Sequence, residues 1–229
     1  FKVIRELIMF TGIIRYSGQI INTVEDQIKG LNSDRSANNK IDIKLEIVIL
    51  ISKINIKKGD SISVNGICLT VVKSYKFSEY DQPAIILEFQ ISKETLQVTT
   101  AKYWKQYDRV NLELSMGLGD HLDGHIVTGH VDGISKLIER KKIAGSYGMV
   151  FSIPKGLNAY IVQKGSVAID GVSLTVNKVS SKNFEVNIIS HTNDNTILGG
   201  IEVGDKVNIE IDIIARYAIN AINKYNKIG

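Results

Sequence analysis

The sequence predicts a mainly β protein, with two similar small barrels in tandem and one helix after them. Three observations lead to this fold class. Short runs with Ile and Val on alternate positions are separated by turn residues at roughly ten-residue spacing, as in half-buried antiparallel strands. A strand, turn and strand segment occurs twice, as GDSISVNGICLTVV from residue 59 and GSVAIDGVSLTVNK from residue 165. The last stretch, residues 213–228, has the pattern of a long helix.

Further runs with the alternating pattern predict strands along the rest of the chain. They are ILEFQIS from residue 86, RVNLELS from 109, MVFSIP from 149, FEVNIIS from 184 and KVNIEIDI from 206. Many short strands with turn signals between them are typical of a barrel or a sandwich. Residues 22–40 are polar and rich in turn formers, so we interpret them as a hairpin tip or a mobile loop.

The repeat extends over most of the chain in three blocks, which follow the same order in both halves. The first is FTGII at 10–14 and VTGHV at 127–131, the second is the quoted hairpin, and the third is YDRVNLELS at 107–115 and VGDKVNIEID at 203–212. Duplication of a barrel explains this order. We therefore expect a first barrel over residues 1–118, a second barrel over 119–212, and a helix over 213–229.

Composition excludes several classes of function. The net charge is +4 with a pI near 9.0, but the lysines are scattered and form no basic stripe between aromatic residues, so nucleic-acid binding is not expected. The single cysteine forbids an internal disulfide and favours a reducing compartment. The longest apolar run, IVILI at 47–51, is too short to cross a membrane. The first ten residues lack the pattern of a secretory signal, so a cytoplasmic location is expected.

Five segments carry a family resemblance: MFTGII from residue 9, VNGICLTV from 64, GHIVTGHVDG from 124, KGSVAIDGVSLTV from 164 and NIEID from 208. In this order they resemble the riboflavin synthase α-chain, the family of lumazine-binding tandem barrels. The resemblance runs from Met9, the family's usual start, to the C-terminus, so it implies that residues 1–8 are an extra leader. It implies two six-stranded Greek-key β-barrels, a C-terminal trimerisation helix and a homotrimer, with lumazine synthase as a possible further partner.

The resemblance also implies the activity. Such enzymes dismutate two molecules of 6,7-dimethyl-8-ribityllumazine into riboflavin and 5-amino-6-ribitylamino-2,4-pyrimidinedione, by transfer of a four-carbon unit and without a metal or redox cofactor. A reaction between two copies of one molecule needs two similar pockets, which accounts for the duplicated scaffold. Holding both reactants makes a bimolecular step effectively unimolecular.

Four residues match the family's catalytic positions: Ser61, Cys68, His130 and Asp212. Each has an ordinary alternative, since a lone strand cysteine is usually a small buried apolar group and a serine, histidine or aspartate at a strand end is usually structural. Histidine is a residue type that often carries out proton transfer, which fits the matched position of His130. Cys68 has Ser173 as its counterpart in the second repeat. We therefore expect the Cys68 copy to carry the acid–base or nucleophilic work and the Ser173 copy chiefly to hold a substrate.

By the same matching, a larger set of residues surrounds the two substrate rings, largely through backbone groups that suit a uracil-like edge. The set is Gly12, Ile13, Ile14, Cys68, Leu69, Thr70, Gln90, Ile91, Ser92, Lys93, Glu94, Thr95, Gly129, His130, Val131, Lys164, Ser173, Leu174, Thr175, Ile189, Ser190, His191, Thr192, Asn193 and Asp194.

The chain departs from the family pattern at two positions. Asp123 stands where another glycine is usual, and Asn193 stands where leucine is common. We expect both departures to alter loop conformation more than chemistry.

Two other functions are open to the sequence. A non-catalytic carrier of lumazine or flavin would keep the barrels and lose the reactive side chains, so the presence of Ser61, Cys68 and His130 favours the enzyme. A metal site built from His121, His125 and His130 with neighbouring aspartates has little support. The glycines around these histidines are poor for a helix, and a five-residue separation puts His125 and His130 on opposite faces of a strand.

Overall fold

The computed structural model describes residues 9–27, 41–50, 54–79 and 82–225. The expected leader at residues 1–8 and the central part of the predicted loop, residues 28–40, lie outside this range. In the described residues, no helix is both long and apolar enough to cross a membrane.

The first half of the chain closes into a six-stranded antiparallel barrel with the strand order β1-β2-β5-β4-β3-β6. Closure leaves no free sheet edge. Its strands are β1 (Tyr16–Gln27), β2 (Ile41–Leu50), β3 (Ser61–Val64), β4 (Ile67–Glu79), β5 (Gln82–Ile91) and β6 (Arg109–Leu114).

The second half closes into a barrel of the same topology, because the cyclic order β7-β8-β11-β10-β9-β12 repeats that of the first half position by position. Its strands are β7 (Gly133–Ile143), β8 (Ser146–Ser152), β9 (Ser166–Ile169), β10 (Val172–Val179), β11 (Asn183–Ile189) and β12 (Lys206–Ile211). The expectation of two similar six-stranded barrels in tandem is thus confirmed.

Three α-helices and two short 3₁₀ helices complete the described fold. Helix α1 (Lys93–Val98) follows β5 and leads into a 3₁₀ helix, Thr100–Tyr103. Helix α2 (Ser190–Asn195) follows β11 in the same way and leads into Ile197–Gly199. The C-terminal helix α3 (Ile213–Tyr225) confirms the predicted terminal helix.

The polar stretch that the sequence analysis assigned to a loop is in part a strand. Strand β1 continues through residues 22–27, and Gln27 pairs with Ile41 at the start of β2. The paired strands are thus longer than the composition indicated, and the interpretation of residues 28–40 as a tip or loop falls outside the described residues. Strand pairing satisfies backbone groups whatever the side chains are, so polar residues can extend a hairpin beyond the barrel.

Each barrel has its own apolar core. In β4, Leu69 and Val71 are buried inside the first barrel, and in β10, Leu174 and Val176 are buried inside the second. Full burial of an aliphatic side chain contributes about 1.5–3 kcal/mol. The residues between them face outward, so the strand alternation that closes the cores also fixes which side chains can meet a ligand.

The segment that precedes each barrel crosses over to the other barrel. Phe10 and Val127 pair with each other between the barrels, and both are fully buried. Beyond this pair, Ile14 packs against the core of the second barrel and Val131 packs against the core of the first. Each barrel therefore receives part of its wall from the other half of the chain.

The hairpin turns of β3–β4 and β9–β10 meet back to back between the barrels. The side chain of Asn111 donates to the Asp170 carbonyl at 2.9 Å, and the side chain of Asn208 donates to the Asn65 carbonyl at 2.8 Å. These bonds are buried and related by an approximate twofold axis. They fix the barrels against each other, because a broken bond would leave a buried polar group without a partner.

Candidate active site

The first pocket lies on the outer face of β3 and β4. The Ser61 hydroxyl hydrogen-bonds the Cys68 thiol on this face. Cys68 is partly exposed and Thr70 is exposed, whereas Leu69 between them is buried. The structure therefore brings Ser61 and Cys68 together and turns Cys68 and Thr70 to one side of the sheet, as the alternation predicts.

The crossing segment brings His130 to this pocket. The backbone N–H of Cys68 donates to the Gly129 carbonyl at 2.9 Å. Gly129 has φ of +77°, and a Cβ there would lie 2.5 Å from the Cβ of Cys68, so only glycine allows this approach. The next residue, His130, is exposed, and Val131 packs on the barrel.

Glu210 of the second barrel holds this crossing segment. Its carboxylate accepts the Thr128 N–H at 2.6 Å, the Thr128 hydroxyl at 2.7 Å and the Gly129 N–H at 2.9 Å. Burial raises the pKa of the Glu210 carboxyl, although the bonds from Thr128 and Gly129 oppose this rise. Three hydrogen bonds on one side chain leave the backbone before His130 little freedom.

The Cys68 thiol is a weak acid in this setting. Burial raises its pKa above the ordinary value, the hydrogen bond from Ser61 opposes the rise, and the charge of Glu210 adds to it. Because the thiolate is the nucleophilic form of cysteine, a raised pKa keeps Cys68 protonated at neutral pH. The geometry favours Cys68 as a proton donor or hydrogen-bond donor over a thiolate nucleophile.

The second pocket repeats the crossing in the other direction. The backbone N–H of Ser173 donates to the Gly12 carbonyl at 2.8 Å, and a Cβ on Gly12 would lie 2.6 Å from the Cβ of Ser173. Glu113 holds this segment by accepting the Thr11 N–H at 2.7 Å, the Thr11 hydroxyl at 2.8 Å and the Gly12 N–H at 3.0 Å. Residues 12–14 therefore lie against the second barrel.

A histidine that the sequence analysis considered only as a metal ligand lies in this second pocket. Nδ1 of His125 is 2.7 Å from the Ser173 hydroxyl oxygen. The ring is 8% exposed, and its Nε2 has no hydrogen-bond partner in the described part of the chain. Burial lowers the pKa of His125, while the charge of Asp212 opposes this effect, so the imidazole is neutral at pH 7.

Asp212 and Lys164 lie at the margins of the second barrel. The Asp212 carboxylate accepts the Ile214 N–H at 2.9 Å and so caps α3, while its charge acts on His125. Lys164 is exposed with φ of +66°, and its N–H donates to Val176 at 2.8 Å in the turn before β9. Asp212 thus combines a structural role with a place near the pocket.

The two helical segments after β5 and β11 differ in what holds them. Helix α1 is capped by Ser92, whose hydroxyl accepts the Thr95 N–H at 3.2 Å. Helix α2 has no side-chain cap at Ile189, and instead Arg140 donates to the Asn193 side chain at 2.8 Å. In the described residues, neither helix hydrogen-bonds Cys68 or Ser173.

Several groups that position the pockets were not among the residues predicted from the sequence. The matched Glu113 and Glu210 stand in the repeated NLELS and NIEID blocks, and the matched Thr-Gly pairs stand in the first block. Because these residues occur at matching positions in both halves, the repeat could have predicted that they position the pockets. His125 and Arg140 gave no such signal, because neither has a counterpart in a described repeat block of the first half.

The described residues contain no group of three or more His, Cys, Asp and Glu side chains arranged to hold a metal ion. His125, one member of the triplet considered from the sequence, directs Nδ1 to Ser173.

Comparison with known proteins identifies the family. The family model of the lumazine binding domain matches residues 11–115 and again residues 128–212. The chain is 40% identical over 210 residues to a riboflavin synthase from Brucella abortus, covering 92% of this chain and 96% of that one. It is 39% identical over 210 residues to a riboflavin synthase from Photobacterium phosphoreum, covering 91% and 87%.

Solved structures show the same fold. A crystal structure of LumP complexed with riboflavin superposes with a TM-score of 0.69 at 25% identity, covering 89% of this chain and 99% of that one. A crystal structure of LumP complexed with 6,7-dimethyl-8-(1'-D-ribityl) lumazine superposes with a TM-score of 0.68 at 23% identity. With two lumazine-binding domains and relatives matched over nearly their whole length, this chain belongs to the riboflavin synthase family.

Proposed function

We propose that this chain catalyses the dismutation of two 6,7-dimethyl-8-ribityllumazine molecules to riboflavin and 5-amino-6-ribitylamino-2,4-pyrimidinedione. One molecule donates a four-carbon unit and the other accepts it. The observation that carries the proposal is that both halves present a reactive set on the same outer face. In the first pocket Ser61 bonds Cys68, whose backbone is bonded to Gly129 just before His130, and in the second Ser173 bonds His125 near Asp212.

The chemistry requires modest acid–base groups. The C7 methyl protons of the lumazine are acidic because the carbanion delocalises into the electron-poor ring, so a group near neutrality can remove one. A protonated Cys68 can donate a proton in this scheme, whereas the neutral His125 is enclosed and bonded to Ser173, which suits an orienting role. The substrate supplies its own electron sink, so no step in this scheme needs a metal or a redox cofactor.

The two pockets suit the two roles of the substrate. The pocket with Cys68, Ser61 and His130 offers three exchangeable protons, and we assign to it the substrate that undergoes most of the bond making and breaking. The pocket with Ser173 and His125 orients the second lumazine. The segments 12–14 and 129–131 provide backbone donors and acceptors beside each ring.

The assembly proposed for this function is a homotrimer. Helix α3 buries none of its side chains, and Ile214 and Tyr225 are 68% and 81% exposed. An apolar stripe on a helix without a partner in its own chain suits packing against other copies. The first pocket of one subunit would then face the second pocket of its neighbour. Association with lumazine synthase, which the resemblance implies, stays a prediction.

Incubation of the purified protein with the lumazine alone tests the function. Riboflavin formation is followed by its absorption band and fluorescence, and the pyrimidinedione should appear in equal amount. The Cys68→Ala variant controls for non-enzymatic dismutation. Tight lumazine binding with no flavin formation would place the chain with the carriers instead.

A further inference from the structure

A cleft between the two barrels lies apart from both pockets. Its volume is about 580 Å³, within the range of small-molecule sites, and none of its lining residues belongs to the pockets described above. It lies along the approximate twofold axis where the turns of Asn65 and Asp170 meet. The proposed dismutation leaves this cleft without a role.

The floor of the cleft carries polar side chains with unused hydrogen-bonding groups. Asn65 and Asp170 are 4% and 3% exposed, and Oδ1 of each accepts one backbone N–H, from Asn111 at 2.7 Å and from Asn208 at 2.8 Å. Within the described residues, Nδ2 of Asn65, Oδ2 of Asp170 and the hydroxyl of Thr100 have no partner. All three residues line the cleft and are otherwise enclosed, so the cleft is the space from which a ligand could reach these atoms.

The floor acts as a set of donors at neutral pH. Burial raises the pKa of Asp170 to about 8, so its carboxyl group is mostly protonated and can donate a hydrogen bond. The free amide of Asn65 and the hydroxyl of Thr100 donate as well. A ligand that satisfies all three must bring acceptor atoms.

The walls add positive charge that is not paired. Arg109 and Lys206 line the cleft, and neither forms an ion pair in the described part of the chain, although one guanidinium nitrogen of Arg109 donates to the Ser17 hydroxyl at 3.2 Å. The Lys206 ammonium lies 4.1 Å from the centre of the Tyr103 ring. The second half has Gly200 where the first has Tyr103, so Arg109 is left without a ring beside it.

Two carboxylates also line the walls, and each accepts a hydrogen bond from a backbone N–H. Asp108 accepts the Lys105 N–H and Asp205 accepts the Glu202 N–H, each at 2.8 Å, within its own turn. The formal charges of the walls therefore cancel, and the donors of the floor require acceptor atoms from the part of a ligand that lies over them. The indole of Trp104 and the ring of Tyr103 provide an apolar flank.

We propose that the cleft between the barrels binds a small organic carboxylate, with the carboxylate over Asn65, Thr100 and Asp170 near Arg109, and with its apolar part against Trp104. The chemical class of the ligand follows from three donors at the floor, one guanidinium without an ion pair and an aromatic side of the cleft. The site is independent of the proposed activity, since it shares no residue with either pocket.

The single tryptophan of the chain, Trp104, reports on this cleft directly. Titration of the full chain with benzoate should change its fluorescence along a saturable curve, with acetate weaker and chloride at equal ionic strength without effect. Arg109→Gln should weaken benzoate binding at least tenfold. Lys105→Gln, which removes a nearby charge that does not line the cleft, should bind as the parent protein does.

A linear fluorescence change without saturation would overturn the proposal. So would equal benzoate binding by the Arg109→Gln and Lys105→Gln variants, because binding would then follow overall charge and not the cleft. Circular dichroism confirms that each variant is folded, and an Asn65→Ala variant provides a second, uncharged test of the floor. Unchanged benzoate binding by folded Asn65→Ala would also contradict the site.

Discussion

The two barrels share a backbone and differ in chemistry. Both present a glycine from the crossing segment against the outer residue of a hairpin, at Gly129 with Cys68 and at Gly12 with Ser173, and a glutamate holds each segment. The first pocket adds a thiol and an exposed histidine, whereas the second adds a buried histidine bonded to a serine. Duplication therefore fixed the geometry of two sites and left each free to acquire its own reactive groups.

The largest expected effect tests whether the two pockets must face each other in different chains. Ala221→Asp places a charge on the exposed apolar face of α3, and we expect loss of the proposed trimer together with a fall in turnover of at least ~100-fold at dilute concentration, because the two substrates are no longer held together. Sedimentation and the flavin assay measure both effects.

Asn223→Asp is the matched control, because it adds the same charge on the other side of α3 and should change neither the assembly nor the turnover. A monomeric Ala221→Asp variant with full turnover would show that the two pockets of one chain suffice.

The next effect tests whether the first pocket carries the acid–base chemistry while the second chiefly binds a substrate. Cys68→Ala and His130→Ala should each lower kcat by roughly 100-fold with little change in lumazine affinity, as expected for lost acid–base groups. Ser173→Ala should chiefly weaken binding, because it removes the hydroxyl that orients His125. Steady-state kinetics and equilibrium binding separate the two outcomes. Equal loss of kcat in all three variants, with binding unchanged, would contradict the division.

A third comparison concerns the matched turns, where the first barrel has Asn65 and the second has Asp170. The folded-state pKa of Asp170, about 8, lies above its ordinary value of 3.8, so the folded state binds the proton more tightly. The free energy of unfolding should therefore fall by about 1.4 kcal/mol per pH unit as pH rises between these two values.

Asp170→Asn keeps the bond from Asn208 and should remove this slope. Other groups that face Asp170 across the cleft are Tyr103, Asp108, Arg109, Asp205 and Lys206. Urea unfolding at pH 6 and pH 9 measures the effect, with Asn65→Asp as the converse variant. A gain from Asp170→Asn that is no larger at pH 9 than at pH 6 would refute the assignment.

The smallest effect concerns the helical segments. Arg140 donates to the side chain of Asn193 and to the carbonyls of Leu198, Gly199 and Ile201, so it clamps α2 to the following turn. Arg140→Lys cannot reproduce this fork, and we expect about tenfold weaker lumazine binding at one of two sites. Lys141→Ala, an exposed neighbour, serves as the control. Calorimetry resolves the sites, and equal weakening at both would contradict a local role.

The internal repeat made the fold predictable from the sequence. It also made predictable the strand residues and the glycines that form part of each pocket. Strand alternation placed Cys68 and Thr70 on one face, and the repeated blocks placed the glycines of the crossing segments. The hydrogen bond between His125 and Ser173 could not be predicted from the sequence, because the contact arises only when the segment before the second barrel passes between the barrels. Asn193 was noted as a departure, but its reason, the bond from Arg140, comes from a residue on β7.

The exchange of crossing segments has a consequence for how such a protein could arise. Neither half owns a complete pocket, because Val131 closes the first barrel and Ile14 closes the second. We expect that a single half made alone would form the same contacts by pairing with a second copy of itself and exchanging the crossing segments. The present chain has the architecture of such a segment-exchanged dimer with its two subunits joined in one chain, which leaves the two copies free to differ, as Cys68 and Ser173 do.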